Sequence, residues 1–261
     1  MSTDILNESV LRAAMGALAN EFQITVLQSC PSTNTLAKEL AITALNRKAL
    51  IVAHSQTAGR GRLGRSFLSP DGSGIYCSLL LPAKGALSDS LGLTCAASVA
   101  VMRAIRNQTG LQTQIKWVND LLLHQKKVCG ILTEAVTLGE HSSLVLGIGI
   151  NLRPMDFPKE LESIATTLGQ TALPRASLIA EIVSQLSPFL ENPQDNGWLD
   201  DYRLHSCILG KEILRIENGI SRPCVACEID SRGRLTVRYP DGSQELLQSG
   251  EISLRLQSQQ N

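Results

Sequence analysis

The sequence has no excess of either charge: 24 Lys and Arg stand against 24 Asp and Glu. A chain without a global positive field lacks the long-range attraction that draws proteins to nucleic acid. No apolar run approaches the ~18–20 residues that span a bilayer. Residues 1–20 hold no signal-peptide pattern, so the expected address is the cytosol. Histidine is sparse, and His54, His124, His141 and His205 show neither H-x-x-x-H nor H-E-x-x-H spacing. With no G-x-S-x-G elbow either, the usual signatures of zinc and serine hydrolases are missing. The seven cysteines are odd in number and scattered through apolar patterns, so buried reduced thiols are expected. Cys224 and Cys227 form one C-x-x-C without the second pair a zinc site needs. In the alternating run 223–229, residues three apart also point to opposite faces. Internal repeats and low-complexity tracts are absent.

What is present stands out at Gln56-Thr57-Ala58-Gly59-Arg60-Gly61-Arg62-Leu63-Gly64-Arg65, directly after the apolar run 49–53. Glycine lets main-chain N–H groups approach a ligand closely. Arginine supplies a planar charged fork that matches carboxylate and phosphate oxygens. Together they read as a lid that closes over an anion, against the plainer reading of a solvated basic loop. The stretch also fits G-x-G-x-x-G and falls one residue short of a Walker A loop. Both of those motifs must open a helix. Here Pro70, Gly72 and Gly74 follow, which makes a turn.

The periodicity predicts a short helix over residues 8–18, a strand over 22–29 and a turn at Cys30-Pro31-Ser32-Thr33-Asn34. A helix over 35–45 follows, with Ser32 or Thr33 as its cap. Strands at 49–54 and 75–81 flank the glycine-arginine segment, and a helix rich in small residues over 89–108 ends at Gly110. Residues 114–123, 127–136 and 143–151 read as consecutive strands with tight connections. That order indicates an antiparallel or mixed sheet rather than repeated βαβ units. Helices over 178–190 and 197–204 precede a change of texture to short strands and turns at Asn218-Gly219, Ser231-Arg232-Gly233 and Pro240-Asp241-Gly242-Ser243. The class is therefore α+β, with residues 1–205 as one domain and 206–261 as a small β-barrel.

These residues resemble the biotin protein ligase family. The likeness runs in order through Ser32-Thr33-Asn34, the glycine-arginine segment, Lys116-Trp117-Val118-Asn119-Asp120 and Lys127-Val128-Cys129-Gly130-Ile131-Leu132. It continues through Gly147-Ile148-Gly149-Ile150-Asn151 and Gly250-Glu251-Ile252-Ser253-Leu254-Arg255, covering roughly residues 29–256. The resemblance implies a sheet flanked by helices, of the class II aminoacyl-tRNA synthetase-like kind, plus an SH3-like C-terminal barrel. It implies a ligase that joins biotin to ATP as biotinyl-5′-AMP and passes biotin to a lysine of a biotin carboxyl carrier domain, as in acetyl-CoA carboxylase. ATP and Mg²⁺ are the implied cofactors. Arg62, Lys116 and Lys127 are implied in catalysis. Ser32, Thr33, Asn34, Gln56, Gly59, Arg60, Gly61, Arg62, Lys127 and Gly130 are implied to hold biotin. The nucleotide would meet Arg62, Arg65, Phe67, Lys116, Asn119, Asn151 and Arg255, and Asp120 its magnesium. Asp120 equally suits a turn, and Ser32, Thr33 and Gln56 equally suit capping and a strand end.

Two positions depart from the family pattern. Val118 replaces the proline of the KWPND turn, and Phe67 stands where some members stack tryptophan on adenine. Only 31 residues precede Ser32, without a helix-turn-helix pattern or a basic stripe, so DNA binding is not expected. Monomers and dimers paired by sheet edges both occur in the family, and either fits this chain. A lipoate–protein ligase of related fold is the alternative activity; a non-catalytic biotin- or nucleotide-binding module is the alternative from another class. The segment 57–69 is expected to order on ligand binding and to keep water from the adenylate.

Overall fold

The computed structural model describes residues 4–43, 47–83 and 89–254. Arg255, and the end of the helix expected to reach residue 45, lie outside them. Seven strands form one mixed sheet: β1 (Gln23–Cys30), β2 (Ala49–Gln56), β3 (Gly74–Pro82), β4 (Gln114–Lys116), β5 (Asp120–Leu123), β6 (Lys126–Leu138) and β7 (His141–Asn151), in the order β1-β2-β3-β7-β6-β5-β4. The β1–β2 pair is parallel, with helix α2 (Thr33–Thr43) as its crossover, and every other pair is antiparallel. The expected mixed sheet is thus one βαβ unit followed by β3, which pairs with the last strand of the antiparallel run β4–β7.

Helices cover the two faces unequally. On one face α2 places Ala37 and Ala41 against Ile51, Leu80 and Val145. On the other lie α1 (Glu8–Met15), α3 (Asp89–Thr109) and the helix Arg175–Glu191, over Leu50, Val52, Ile75 and Leu79. The small buried residues Ala96, Ala97, Ala100 and Ala104 let α3 approach its neighbours closely. Gly110 ends α3 at φ 73° and returns its N–H to Arg106 O at 2.8 Å, the expected C-cap. Because α2 covers only part of its face, the rest is left to loops, and there the site forms.

The expected single strand over 114–123 is two. Asn119 and Asp120 break the apolar alternation, and the chain reverses so that Ile115 faces Leu121 and Lys116 faces Asp120. The Trp117–Val118 peptide is cis. Five further strands, β8 (Glu212–Glu217), β9 (Ile220–Ile229), β10 (Leu235–Arg238), β11 (Gln244–Leu247) and β12 (Glu251–Leu254), form a second antiparallel sheet ordered β11-β10-β9-β8-β12. This is the small C-terminal sheet expected of an SH3-like unit. Asn218 and Gly219 both take positive φ, as a two-residue hairpin requires. All seven cysteines are free, and only Cys227 is exposed; Cys224 is buried on the opposite face of β9. No helix among the described residues is long and apolar enough to cross a membrane.

The second sheet braces the β4–β5 turn. Trp117 Nε1 donates to Gly233 O at 2.8 Å, and the buried Tyr202 hydroxyl, on the helix Leu199–Leu204, donates to Val118 O at 3.1 Å. Trp117→Phe leaves the Gly233 carbonyl only the long Cys95 thiol contact at 4.0 Å and is expected to lower unfolding stability by about 1–2 kcal/mol. A denaturation midpoint equal to wild type would show that the indole bond contributes nothing.

At the start of the described chain, Asp4 accepts from Arg175 Nε at 2.6 Å and from the Arg175 backbone N–H at 3.0 Å, and Arg153 joins it at 2.5 Å. Burial alone would raise the Asp4 pKa; the Arg175 hydrogen bonds and both arginine charges outweigh it and hold the carboxyl below its ordinary 3.8. A depressed folded pKa stabilises above the unfolded value and is lost as pH falls through the folded one. The stability gap between wild type and Asp4→Asn should therefore shrink as pH drops below about 4. Urea titrations at a series of pH values check this, and a gap independent of pH would contradict it.

Candidate active site

Directly opposed residues share a face of a sheet. The pairings Lys116↔Asp120, Asp120↔Gly130, Gly130↔Gly149 and Gly149↔Tyr76 set one row of side chains across five strands. Two glycines in this row leave a depression, and the Phe67 ring lies in it. A Cβ on Gly149 would fall 2.6 Å from that ring, and one on Gly130 would fall 2.9 Å from Lys127 Nζ. Tyr76 meets Phe67 edge-on at 6.4 Å between centroids. Two residues along the strands, Gly147 faces Ser78 and Leu132, and the Asn34 amide occupies the space its side chain would need.

The polar groups at this end satisfy one another. Gln56 Oε1 accepts from the Thr33 N–H at 2.8 Å, and Gln56 Nε2 donates to Ser69 Oγ at 2.9 Å. The first α2 amide is thus met by Gln56 from β2. Ser78 Oγ lies 2.6 Å from Asn34 Oδ1, to which it donates, and 2.7 Å from Thr33 Oγ1. Asn34 Nδ2 donates to Glu134 at 2.9 Å and to Leu132 O at 3.3 Å. Ser32, Thr33, Asn34 and Ser78 are all buried. Such a cluster in a mostly apolar hollow recognises a polar, compact head group.

The glycine-arginine segment is a small hairpin above this floor. Phe67 N–H bonds to Gly59 O, Gly61 N–H to Arg65 O and Arg65 N–H to Arg62 O, around a tip where Leu63 and Gly64 take positive φ. No helix follows it, as the sequence indicated. Its base is pinned by Thr57 N–H to Cys30 O and Ala58 N–H to Pro31 O. Residues 56–61 and 64–69 line a cavity of about 480 Å³. Gly59 admits no side chain, because a Cβ there would overlap Phe67 O.

Its three arginines point in different directions. Arg60 lies 3.8 Å from Glu134. Arg62 donates to Asn119 Oδ1 at 3.2 Å and to Gly250 O at 3.1 Å. Arg65 pairs with Glu251 of β12. Burial lowers the Arg62 pKa, partly offset by the Asp120 and Glu251 charges; a guanidinium stays charged regardless. Lys127 Nζ sits 2.6 Å from Asp120 Oδ1, outside hydrogen-bonding geometry. Arg62 and Lys127 therefore meet on either side of the Asn119-Asp120 turn, and Lys116 shares the face of Asp120.

Other expected residues are placed less directly. Asn119 Nδ2 donates to Ile131 O at 2.7 Å, so it also ties the turn to β6. Asn151 is buried and donates to Thr166 O at 3.1 Å, holding the segment whose Ile164 carbonyl accepts from the Lys127 N–H. Among the described residues no three His, Cys, Asp or Glu side chains gather as a metal site. Asp120 Oδ1 is buried beside Lys127 with no hydrogen-bond partner; a single carboxylate suits magnesium carried on nucleotide phosphates. Glu134, Ser78 and Glu251 were not singled out from the sequence. The available signal was Glu134, a carboxylate inside an apolar strand, four residues from Gly130 and so on its face.

Residues 26–151 match the Biotin/lipoate A/B protein ligase family. A Biotin--[acetyl-CoA-carboxylase] ligase of Paracoccus denitrificans is 31% identical over 84% of this chain and 95% of its own length. The chain belongs to this family. The Bifunctional ligase/repressor BirA of Bacillus subtilis is 44% identical over 58% of this chain and 49% of its own length. The chain thus matches about half the length of that relative. The biotin protein ligase of Aquifex aeolicus, solved with biotin and ATP, superposes with a TM-score of 0.74 at 28% identity, covering 89% of this chain and 98% of that one. Its fold is that of the mixed sheet and second sheet described above.

Proposed function

We propose that the protein is a biotin–[biotin carboxyl carrier protein] ligase. The observation that carries this reading is the meeting of Arg62, Lys127 and Lys116 around Asn119-Asp120, beside a buried polar cluster built for a small head group. In the first step a carboxylate oxygen of biotin attacks the α-phosphorus of ATP. A new P–O bond forms as the bond to the β-phosphate breaks, and pyrophosphate leaves. Two anions must meet, so charge accumulates on the α-phosphoryl oxygens. Arg62, Lys116 and Lys127 supply preorganised cations there. MgATP is the substrate form; the metal neutralises phosphate charge, with Asp120 as the side chain that would touch it. In the second step a carrier lysine amine attacks the acyl carbon and AMP leaves.

Ser32, Thr33, Asn34 and Gln56 would orient the ureido head, with Gly59, Arg60, Gly61 and Gly130 lending close backbone and the glycine-arginine segment 57–69, the strap, closing above. Arg65, Phe67, Asn119 and Asn151 would line the nucleotide side, together with Arg255. We assign the chemistry to residues 1–205 and a supporting role to 206–261. The buried polar cluster favours biotin over lipoate, because a dithiolane ring offers no hydrogen-bonding groups to it. A cytosolic setting suits seven free thiols. The repressor half of the Bacillus subtilis name is not carried over.

Incubation with biotin, MgATP and a carboxyl carrier domain should raise the carrier's intact mass by one biotinyl group. Pyrophosphate exchange that responds to lipoate and not biotin would move the assignment to lipoate ligation. Biotin binding without any carrier labelling would leave only a binding module.

A further inference from the structure

Glu134 joins three elements that the reaction must coordinate. Its carboxylate accepts from Asn34 Nδ2 at 2.9 Å and from Lys38 Nζ at 2.8 Å, both on α2, and lies 3.8 Å from Arg60 of the strap. Its side chain is mostly buried, at 21% exposure, whereas Arg60 is half exposed at 49%. An amide can flip; here Glu134 takes the Nδ2 end of Asn34, so Oδ1 faces the Ser78 hydroxyl at 2.6 Å. Arg60 in turn flanks Gly59 and Gly61, whose backbone forms one rung of the strap hairpin.

We propose that Glu134 is a positioning residue: it fixes the Asn34 amide for the head group and draws the strap down through Arg60 when ligand is held. This deepens the biotin ligase reading and rests on it. Lys38, one turn after Asn34 on α2 and 26% exposed, serves as the counter-charge that keeps Glu134 ionised. Burial alone would raise the Glu134 pKa, but the Lys38 and Asn34 hydrogen bonds and the Lys38 and Arg60 charges lower it. An ionised carboxylate is required, since a protonated one would not hold the Lys38 ammonium and attract the Arg60 guanidinium as well.

The test compares wild type, Glu134→Gln, Glu134→Asp, Arg60→Gln and the Glu134→Gln/Arg60→Gln double variant. Each is given biotin, MgATP, a carrier domain and an excess of a lysine-rich bystander protein. Glu134→Gln should raise the ratio of bystander to carrier labelling and the KM for biotin, each by about five- to tenfold. Its kcat for pyrophosphate exchange should stay within about twofold of wild type, since no reacting atom is touched. Glu134→Asp, which keeps the charge, should recover part of both effects. Arg60→Gln should leak as Glu134→Gln does, and the double variant should leak no more than the worse single one, as partners in one contact require. Unchanged leakage and KM in Glu134→Gln would overturn the inference, as would additive leakage in the double variant. A kcat and melting temperature that fall together with no change in KM would reduce Glu134 to a structural role and overturn it too. Wild type that labels no carrier overturns the ligase reading itself, and this inference with it.

Discussion

Arg62→Ala should lower kcat/KM for biotin-dependent pyrophosphate exchange by about 10²–10³-fold, the range seen when one preorganised donor to a developing charge is removed. Arg62 is held by Asn119 Oδ1 at 3.2 Å and Gly250 O at 3.1 Å. Its fork therefore needs little reorganisation as charge builds on the α-phosphate. The same two bonds tie the strap to the β4–β5 turn and to the start of β12. Removing them should also loosen the lid, so adenylate that does form escapes and labels bystander amines. Arg62→Lys keeps the charge but loses the planar fork, and should recover only part of the rate. Exchange at wild-type rate in the alanine variant, with labelling confined to the carrier, would remove Arg62 from the site.

The second large effect is expected at the floor. A Cβ on Gly149 would lie 2.6 Å from the Phe67 ring, so Gly149→Val must expel Phe67 from the depression. Valine suits a strand, and overpacking of this kind costs about 1–3 kcal/mol. The protein should remain folded with a moderately lower melting temperature. Biotin affinity, by contrast, should fall at least about 100-fold, because the branched side chain fills the hollow a ligand and Phe67 must share. Isothermal titration with biotin and a parallel melting curve separate the two effects. Affinity within a few-fold of wild type would mean that the ligand does not use this floor.

Much of this site is legible in sequence because its parts are backbone demands. Gly130, Gly147 and Gly149 stand in strands where glycine has no propensity reason to be, and the structure spends all three on close approach. The glycine-arginine stretch reads as a flexible loop; its hairpin ladder is not legible, since Gly61 to Arg65 and Phe67 to Gly59 bonds follow no side-chain pattern. The β4–β5 reversal is marked only by Asn119 and Asp120 and by the likeness to the KWPND turn, because Ile115, Trp117 and Leu121 keep the parity of a single strand across it. Partners distant in sequence are the least visible. Arg65 with Glu251, and Asn34 with Glu134, are separated by 186 and 100 residues, and nothing local announces either pair. Gln56 reads equally as a strand end or a ligand, and in the structure it caps α2 while bracing Ser69.

A crystal structure with biotinyl-5′-AMP bound tests the arrangement most directly. The expected result places the acyl phosphate between Arg62 and Lys127, the ureido ring against Asn34 and Ser78, and the strap closed over both. An adenylate bound elsewhere, with Arg62, Lys116 and Lys127 all beyond hydrogen-bonding reach of its phosphate and carbonyl oxygens, would contradict it.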